Sequence, residues 1–149
     1  GSATLVNANL READLRDASL NDANFQGADL SGANLEDVHF HNVNLQAANL
    51  SGADLRQVHF SNADLQGANF SGANLKNSNI DDNSNLQGAN FRGANLQCAQ
   101  FGSSVNLTGA NLQDADLRNA SIELEQLEST VGTPAFLPDA PFPEGEGCN

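Results

Sequence analysis

Tryptophan, tyrosine and methionine are all absent from this chain of 149 residues, and only 6 residues are lysine or arginine. An ordinary globular interior draws on those bulky side chains, so another way of filling a core is called for. No apolar run approaches the roughly 20 residues that a membrane span requires, which excludes membrane insertion by a helix. Nor is there a charged-then-apolar leader at the start. Gly1-Ser2 reads as an expression scar, ahead of which a native targeting segment would have been removed. Charged residues make up 17% and hydrophobic residues 39%, a balance that argues for a folded body rather than disorder. The formal net charge of -13 disfavours direct contact with nucleic acid or an anionic membrane and points to protein as the partner.

What is present is a period. An apolar residue recurs every five positions from Leu5 through Leu10, Leu15, Leu20 and Phe25 to Ile80, and a small residue precedes each by two, as in Ala3, Ala8 and Ala13. Side chains two apart on an extended chain share a face, so the large and small residues point the same way and the residue between them points outward. That outward residue is Asn thirteen times and Asp five times. The remaining two positions of each five, often Ser-Gly or Gln-Gly, have turn composition. Five fits neither a helix nor a long strand, so each pentapeptide is one short side of a coil followed by a corner.

A slower repeat gives the number of sides. Residues 26–35 read QGADLSGANL, residues 46–55 QAANLSGADL and residues 66–75 QGANFSGANL, a spacing of 20 that the strings DVHF and QVHF, ending at Phe40 and Phe60, also keep. Four pentapeptides therefore close one turn, and 24 repeats predict six coils over residues 3–122. The register slips by one residue between Ile80 and Leu86 and again between Phe101 and Leu107, both at the same corner, where an extra residue can bulge outward. Stacking predicts an interior column of Leu15, Leu35, Leu55, Leu75, Leu96 and Leu117, and another of Leu20, Phe40, Phe60, Ile80, Phe101 and Ile122 in which rings form a ladder. An interior so filled leaves no bore for a ligand, and no cofactor is implied.

The consensus Ala-(Asp/Asn)-Leu-x-x, as in Ala13-Asp14-Leu15 and Ala33-Asn34-Leu35, resembles that of the pentapeptide-repeat family. The resemblance implies an all-β solenoid, a right-handed quadrilateral β-helix. It implies little about role. One branch of the family protects DNA gyrase by imitating B-form DNA with an acidic column, and another occurs in cyanobacteria and plant thylakoid lumens; neither role follows from fold alone.

After Ile122 the pattern stops. Ser121 with Glu123 and Glu125 resembles a helix start, and Leu124, Leu127 and Val131 recur at helical spacing, so a short amphipathic helix is expected over residues 123–130, with Gly132 past its end. Thr133-Pro134 would begin a second helical turn carrying Phe136 and Leu137. These apolar residues are expected to cover the last coil, making residues 123–149 a helical cap and tail. The two cysteines are Cys98, at a corner of the fifth coil, and Cys148 at the end of the tail. A tail that turns back would bring them together as a disulfide, the alternative being two unrelated free thiols. Such a bond would persist in an oxidising compartment, thylakoid lumen or periplasm, in agreement with the lumenal branch of the family.

Candidate chemistry is sparse. The superperiod stacks His39 beneath His59, but Ser19 and Asn79 flank the pair in that column and supply no third metal ligand, so no metal site is expected. No carboxylate is paired with a base and nucleophile, and no catalytic residue is assigned. The glycosylation patterns at Asn49, Asn69 and Asn106 are products of the lattice. All six basic residues, Arg11, Arg16, Arg56, Lys76, Arg92 and Arg118, follow an inward residue and fall on two faces, interrupting any continuous acidic surface. Residues 1–122 hold thirteen acidic residues, and the tail a further six with no base. The composition therefore favours a non-enzymatic interaction scaffold, with an acidic imitation of DNA, aimed at gyrase or another DNA-binding protein, as the alternative.

Overall fold

The computed structural model describes residues 3–81 and 83–148. Its repeating unit is a side two or three residues long and a tight corner. On the side, the outward residue bonds through both backbone groups to the preceding coil, Phe25 N–H donating to Asn44 O (2.7 Å) and Asn44 N–H to Ala23 O (3.1 Å), while its flanking residues bond to the next, Leu45 N–H donating to Asp64 O (2.7 Å). At the corner the small residue's amide closes a turn onto the preceding large residue, as Ala28 N–H does to Phe25 O at 2.9 Å. The residue before the small one has positive φ, 54° at Asn7 and 59° at Asp22. Glycine and short polar side chains tolerate that region better than others, which is why Asn, Asp and Gly hold most of these positions, Glu12, Ala47, Gln57 and Cys98 being the others.

Four ladders of parallel pairing define four sides. Thr4, Asn24, Asn44, Asp64, Asn85 and Asn106 pair in sequence along one; Asn9, Asp29, Asn49, Asn69, Asn90 and Asn111 along the next; Asp14, Asn34, Asp54, Asn74, Asn95 and Asp116 along the third. The fourth side is regular enough to form a sheet of β1 (His39–His41), β2 (His59–Ser61), β3 (Asn79–Ile80) and β4 (Gln100–Phe101), all parallel and in that order. The register step is 20 up to β3 and becomes 21 at Asn79↔Gln100. At both slips the corner turn is kept and the extra residue lies just after the inward one: Ser84 N–H donates to Asp81 O and Val105 N–H to Gly102 O.

Leu35, Leu55, Leu75, Phe40, Phe60 and Phe101 are buried in one continuous core with their small partners. Leu15, Leu20 and Ile122 are the exceptions among the expected column residues: Leu15 and Leu20, like Leu5 and Leu10, are only half-buried because the first coil packs against a neighbour on one side alone, and Ile122 is half-buried at the last coil. The expected ring ladder is also shorter than the register suggested. Phe40 stacks on Phe60 at 5.1 Å, but Ile80 interposes before Phe101. A second stack, Phe70 on Phe91 at 4.9 Å, lies on another side, and edge contacts of 6.4 Å join Phe25 to Phe40 and Phe60 to Phe70.

Past Ile122 the helix α1 spans Leu124–Glu128, shorter than the expected 123–130 and begun by Glu123 rather than Ser121. Gln126 explains both its place and its length. Buried, it accepts from Glu123 N–H through Oε1 (2.9 Å) and donates through Nε2 to Gly102 O (2.8 Å) and Val105 O (3.0 Å), the carbonyls at the two ends of the turn that carries the second insertion. The apolar residues expected to cover the last coil do not do so. Leu124, Val131, Phe136 and Leu137 are exposed, and only Leu127 packs against the core. The tail covers the coil with backbone instead, and no second helical turn follows Thr133-Pro134. Val131 N–H donates to Ala110 O while Leu112 N–H donates to Val131 O, both at 2.8 Å, and Phe136 pairs with Asp116. In that register the positions of Val131 and Phe136 point outward. Gly132 is needed at this approach, since a Cβ there would stand 2.7 Å from Gln113 N.

Candidate functional site

With the interior filled, the surfaces available for function are the four sides and the tail. The outward Asn and Asp are chiefly occupied by their own corners. Asn24 Oδ1 accepts from Gln26 N–H (3.0 Å), Asn49 Oδ1 from Ser51 N–H (3.2 Å) and Asp54 Oδ1 from Arg56 N–H (3.3 Å), so the residue that points outward also fixes the turn that follows. On one side they link along the column too, Asn49, Asn69 and Asn90 each donating at 3.1 Å to the Asp or Asn one coil earlier. The sequence suggested the ladder and missed the turn-fixing role, which the constant Asn/Asp-x-turn spacing carried.

The arginines are neutralised locally. Arg11 pairs with Asp29 (3.2 Å), Arg16 with Asp14 (2.7 Å), Arg56 with Asp54 (2.7 Å) and Glu36 (2.9 Å), Arg92 with Asp114 (3.8 Å) and Arg118 with Asp116 (2.6 Å). Three of these pairs come from one tripeptide, Asp-Leu-Arg, in which the side chains two apart meet over an inward Leu. Hydrogen bonds from Arg16 hold the Asp14 carboxyl down at about 2, and those from Arg56 likewise lower Asp54. At Asp116 burial pushes upward, but the bonds from Arg118 and Gln97 outweigh it and the carboxyl is lowered.

His39 and His59 do meet, ring centres 5.5 Å apart, and with His41, Asn21 and Ser61 they border a shallow hollow of about 260 Å³. Asp81, on the insertion corner, reaches His59 Nε2 at 2.8 Å. The column rule considered only Ser19 and Asn79 beside the pair; it places residues by side and cannot place one displaced by a slip. Among the described residues no group of three or more His, Cys, Asp or Glu is arranged to hold a metal ion, and no helix is long and apolar enough to cross a membrane.

A family model described as a pentapeptide repeat region matches residues 2–70 and 54–131. The chain belongs to the pentapeptide-repeat family. Members form right-handed quadrilateral β-helices, the architecture built up above. Among solved structures, HetL of the cyanobacterium Nostoc sp. strain PCC 7120, involved in heterocyst differentiation regulation, is 32% identical over 93% of this chain and 61% of its own, with a TM-score of 0.58. QnrB1, a plasmid-mediated fluoroquinolone resistance protein, is 25% identical over 81% of this chain and 66% of its own, also at 0.58. A thylakoid-lumen pentapeptide-repeat protein of Arabidopsis thaliana is 30% identical over 73% of this chain and 77% of its own, at 0.42. The chain thus spans under two thirds of the length of HetL and of QnrB1. No curated protein sequence matches it.

The most individual feature of this pentapeptide-repeat protein is its tail. Cys98 and Cys148 form a disulfide closing 50 residues. Around it Asn77 Nδ2 donates to Cys148 O and Asn119 Nδ2 to Cys148 Sγ, each at 2.9 Å. Asn77, Cys98 and Asn119 occupy one corner in successive coils, all with positive φ, so the tail runs back down that edge as a strap. On the way it encloses Arg118, whose guanidinium carbon lies 4.5 Å from the Phe136 ring centre and 5.2 Å from that of Phe142. Nothing in the sequence singled out Arg118 from its fellows, since its aromatic neighbours come from beyond the repeats.

Proposed function

We propose that the protein is a non-enzymatic protein-interaction scaffold, a six-coil column closed by a strapped cap and working in an oxidising compartment such as the thylakoid lumen or periplasm. One observation carries this reading most: the core is filled without a break from Ala23 to Ala120, so along that length a partner meets the preformed outer faces. A rigid face loses little entropy on binding, the advantage a scaffold needs. The compartment rests on the disulfide, which a reducing cytosol would not maintain. The reading as an imitation of DNA is disfavoured by the local pairing of all five arginines with column carboxylates. That removes the continuous negative surface a DNA-binding protein would recognise. Two experiments test these readings. Crosslinking of the full chain in its native compartment is expected to capture a defined protein partner through a side of the column; failure to capture any would count against the scaffold. A gyrase supercoiling assay should show no inhibition, and inhibition at stoichiometric concentration would transfer the protein to the DNA-imitating class.

A further inference from the structure

The strap covers charge as well as backbone. Along the Asp-Leu-Arg side the basic residues Arg16, Arg56, Lys76 and Arg118 share a stripe with Glu36, and the tail lies over its last two members. Arg118 is buried between Phe136 and Phe142 and feels the charge of Glu146. Lys76 borders a hollow of about 300 Å³ with Gly145, Glu146 and Gly147. Residues 139–148 thus present an aromatic ring and acidic groups to two cations, the chemistry by which a separate acidic, aromatic-bearing peptide would be recognised. What keeps this segment in place is chiefly one covalent bond, backed by the bonds from Asn77 and Asn119 to Cys148.

We propose that the Cys98–Cys148 disulfide is a latch: its reduction frees residues 139–148 and uncovers an Arg118–Lys76 surface for an acidic, aromatic-bearing segment of a partner protein. The partner half of this inference rests on the scaffold reading; release of the tail does not. Cys98 is buried and Cys148 half-exposed, so Cys148 Sγ is the sulfur open to attack. A thiolate of a protein dithiol attacks it, the S–S bond breaks, and the Cys98 thiolate leaves and takes up a proton. The second thiol of the dithiol then resolves the mixed disulfide, releasing Cys148 as a thiol. Two electrons pass from the dithiol, which becomes a disulfide, to the cystine of the strap. Reopening the covalent ring of 50 residues lowers the local concentration of the tail at its site, by up to about a thousandfold on chain-entropy grounds.

The full chain is compared oxidised, reduced and thiol-capped, and as the Cys98→Ser/Cys148→Ser double variant. Amide exchange across residues 139–148 is expected to quicken about tenfold or more in the last two, with residues 25–117 unchanged. A fluorescein-labelled peptide of residues 139–147 is expected to bind those two forms about tenfold more tightly than the oxidised form, and Lys76→Glu in the double variant should abolish the gain. Undiminished protection of the tail after reduction would refute the latch, as would melting of the coils along with it. Release without peptide binding would refute the uncovered surface while leaving the scaffold reading to its own crosslinking test.

Discussion

The same tripeptide on the same side of the column meets two different fates. Asp14-Leu15-Arg16 in the first coil leaves its ion pair in water, with Arg and Asp side chains 51% and 58% exposed, whereas Asp116-Leu117-Arg118 in the last is enclosed at 10% and 17%. Local geometry is shared, since both arginines donate through Nε and Nη2 to the carboxylate two residues back. The difference lies in what is laid over them. Leu117 is sealed beneath the tail's in-register backbone, while Leu15 is half-buried. Repeats therefore set the lattice, and the non-repeating tail decides which lattice points differ.

The largest effects should come from the middle of the column. Phe60→Ala removes a ring stacked on Phe40 and is expected to destabilise by about 3–5 kcal/mol in chemical denaturation, whereas Leu15→Ala, in a half-buried site, should cost about 1–2 kcal/mol. Equal costs would mean that the two coils are packed alike. Next comes the strap: Cys148→Ser should lower stability by about 2–4 kcal/mol, read as earlier melting of the tail with the column signal preserved.

Smaller still is the contrast between the two ion pairs. Arg118→Ala should lower the melting temperature by more than Arg16→Ala, because it leaves Asp116 enclosed and strips two rings of their cation. The pH dependence has a definite sign. Asp14 is held from an ordinary 3.8 down to about 2, and Asp54, Asp29 and Asp116 are lowered as well. Carboxylates lowered in the folded state contribute stability that is complete above the unfolded value and is lost as pH falls through the folded one. Stability should therefore hold steady near neutrality and decline between about pH 4 and 2, and a decline beginning well above that window would exclude these pairs as its source.

How far the sequence foretold this arrangement depended on whether the residues obey the repeat. The side count, the core positions Leu35, Leu55, Leu75, Phe40, Phe60 and Phe101, and the shared corner of the two slips all follow from periods of five and 20. What broke the period was misjudged. Helical spacing at Leu124, Leu127 and Val131 suggested an apolar face, but the tail keeps the 20-residue register, and that register turns Val131 outward. The buried residue of the helix is instead Gln126, whose amide bonds to the Gly102 and Val105 carbonyls at the two ends of the insertion's turn. Asp81 escaped notice beside His59 for the same reason, lying on a slip that column arithmetic skips. Arg118 could not be told from Arg16 or Arg56 until Phe136 and Phe142 were seen against it.

The outer part of the cover that distinguishes the two Asp-Leu-Arg pairs, Phe142 over Arg118 included, depends on the tail being fastened to the fifth coil. Mass analysis of the unfolded but unreduced protein after treatment with iodoacetamide tests that fastening directly. The account predicts that neither Cys98 nor Cys148 is modified until a reductant is added, after which both are; modification of both thiols before reduction would contradict it.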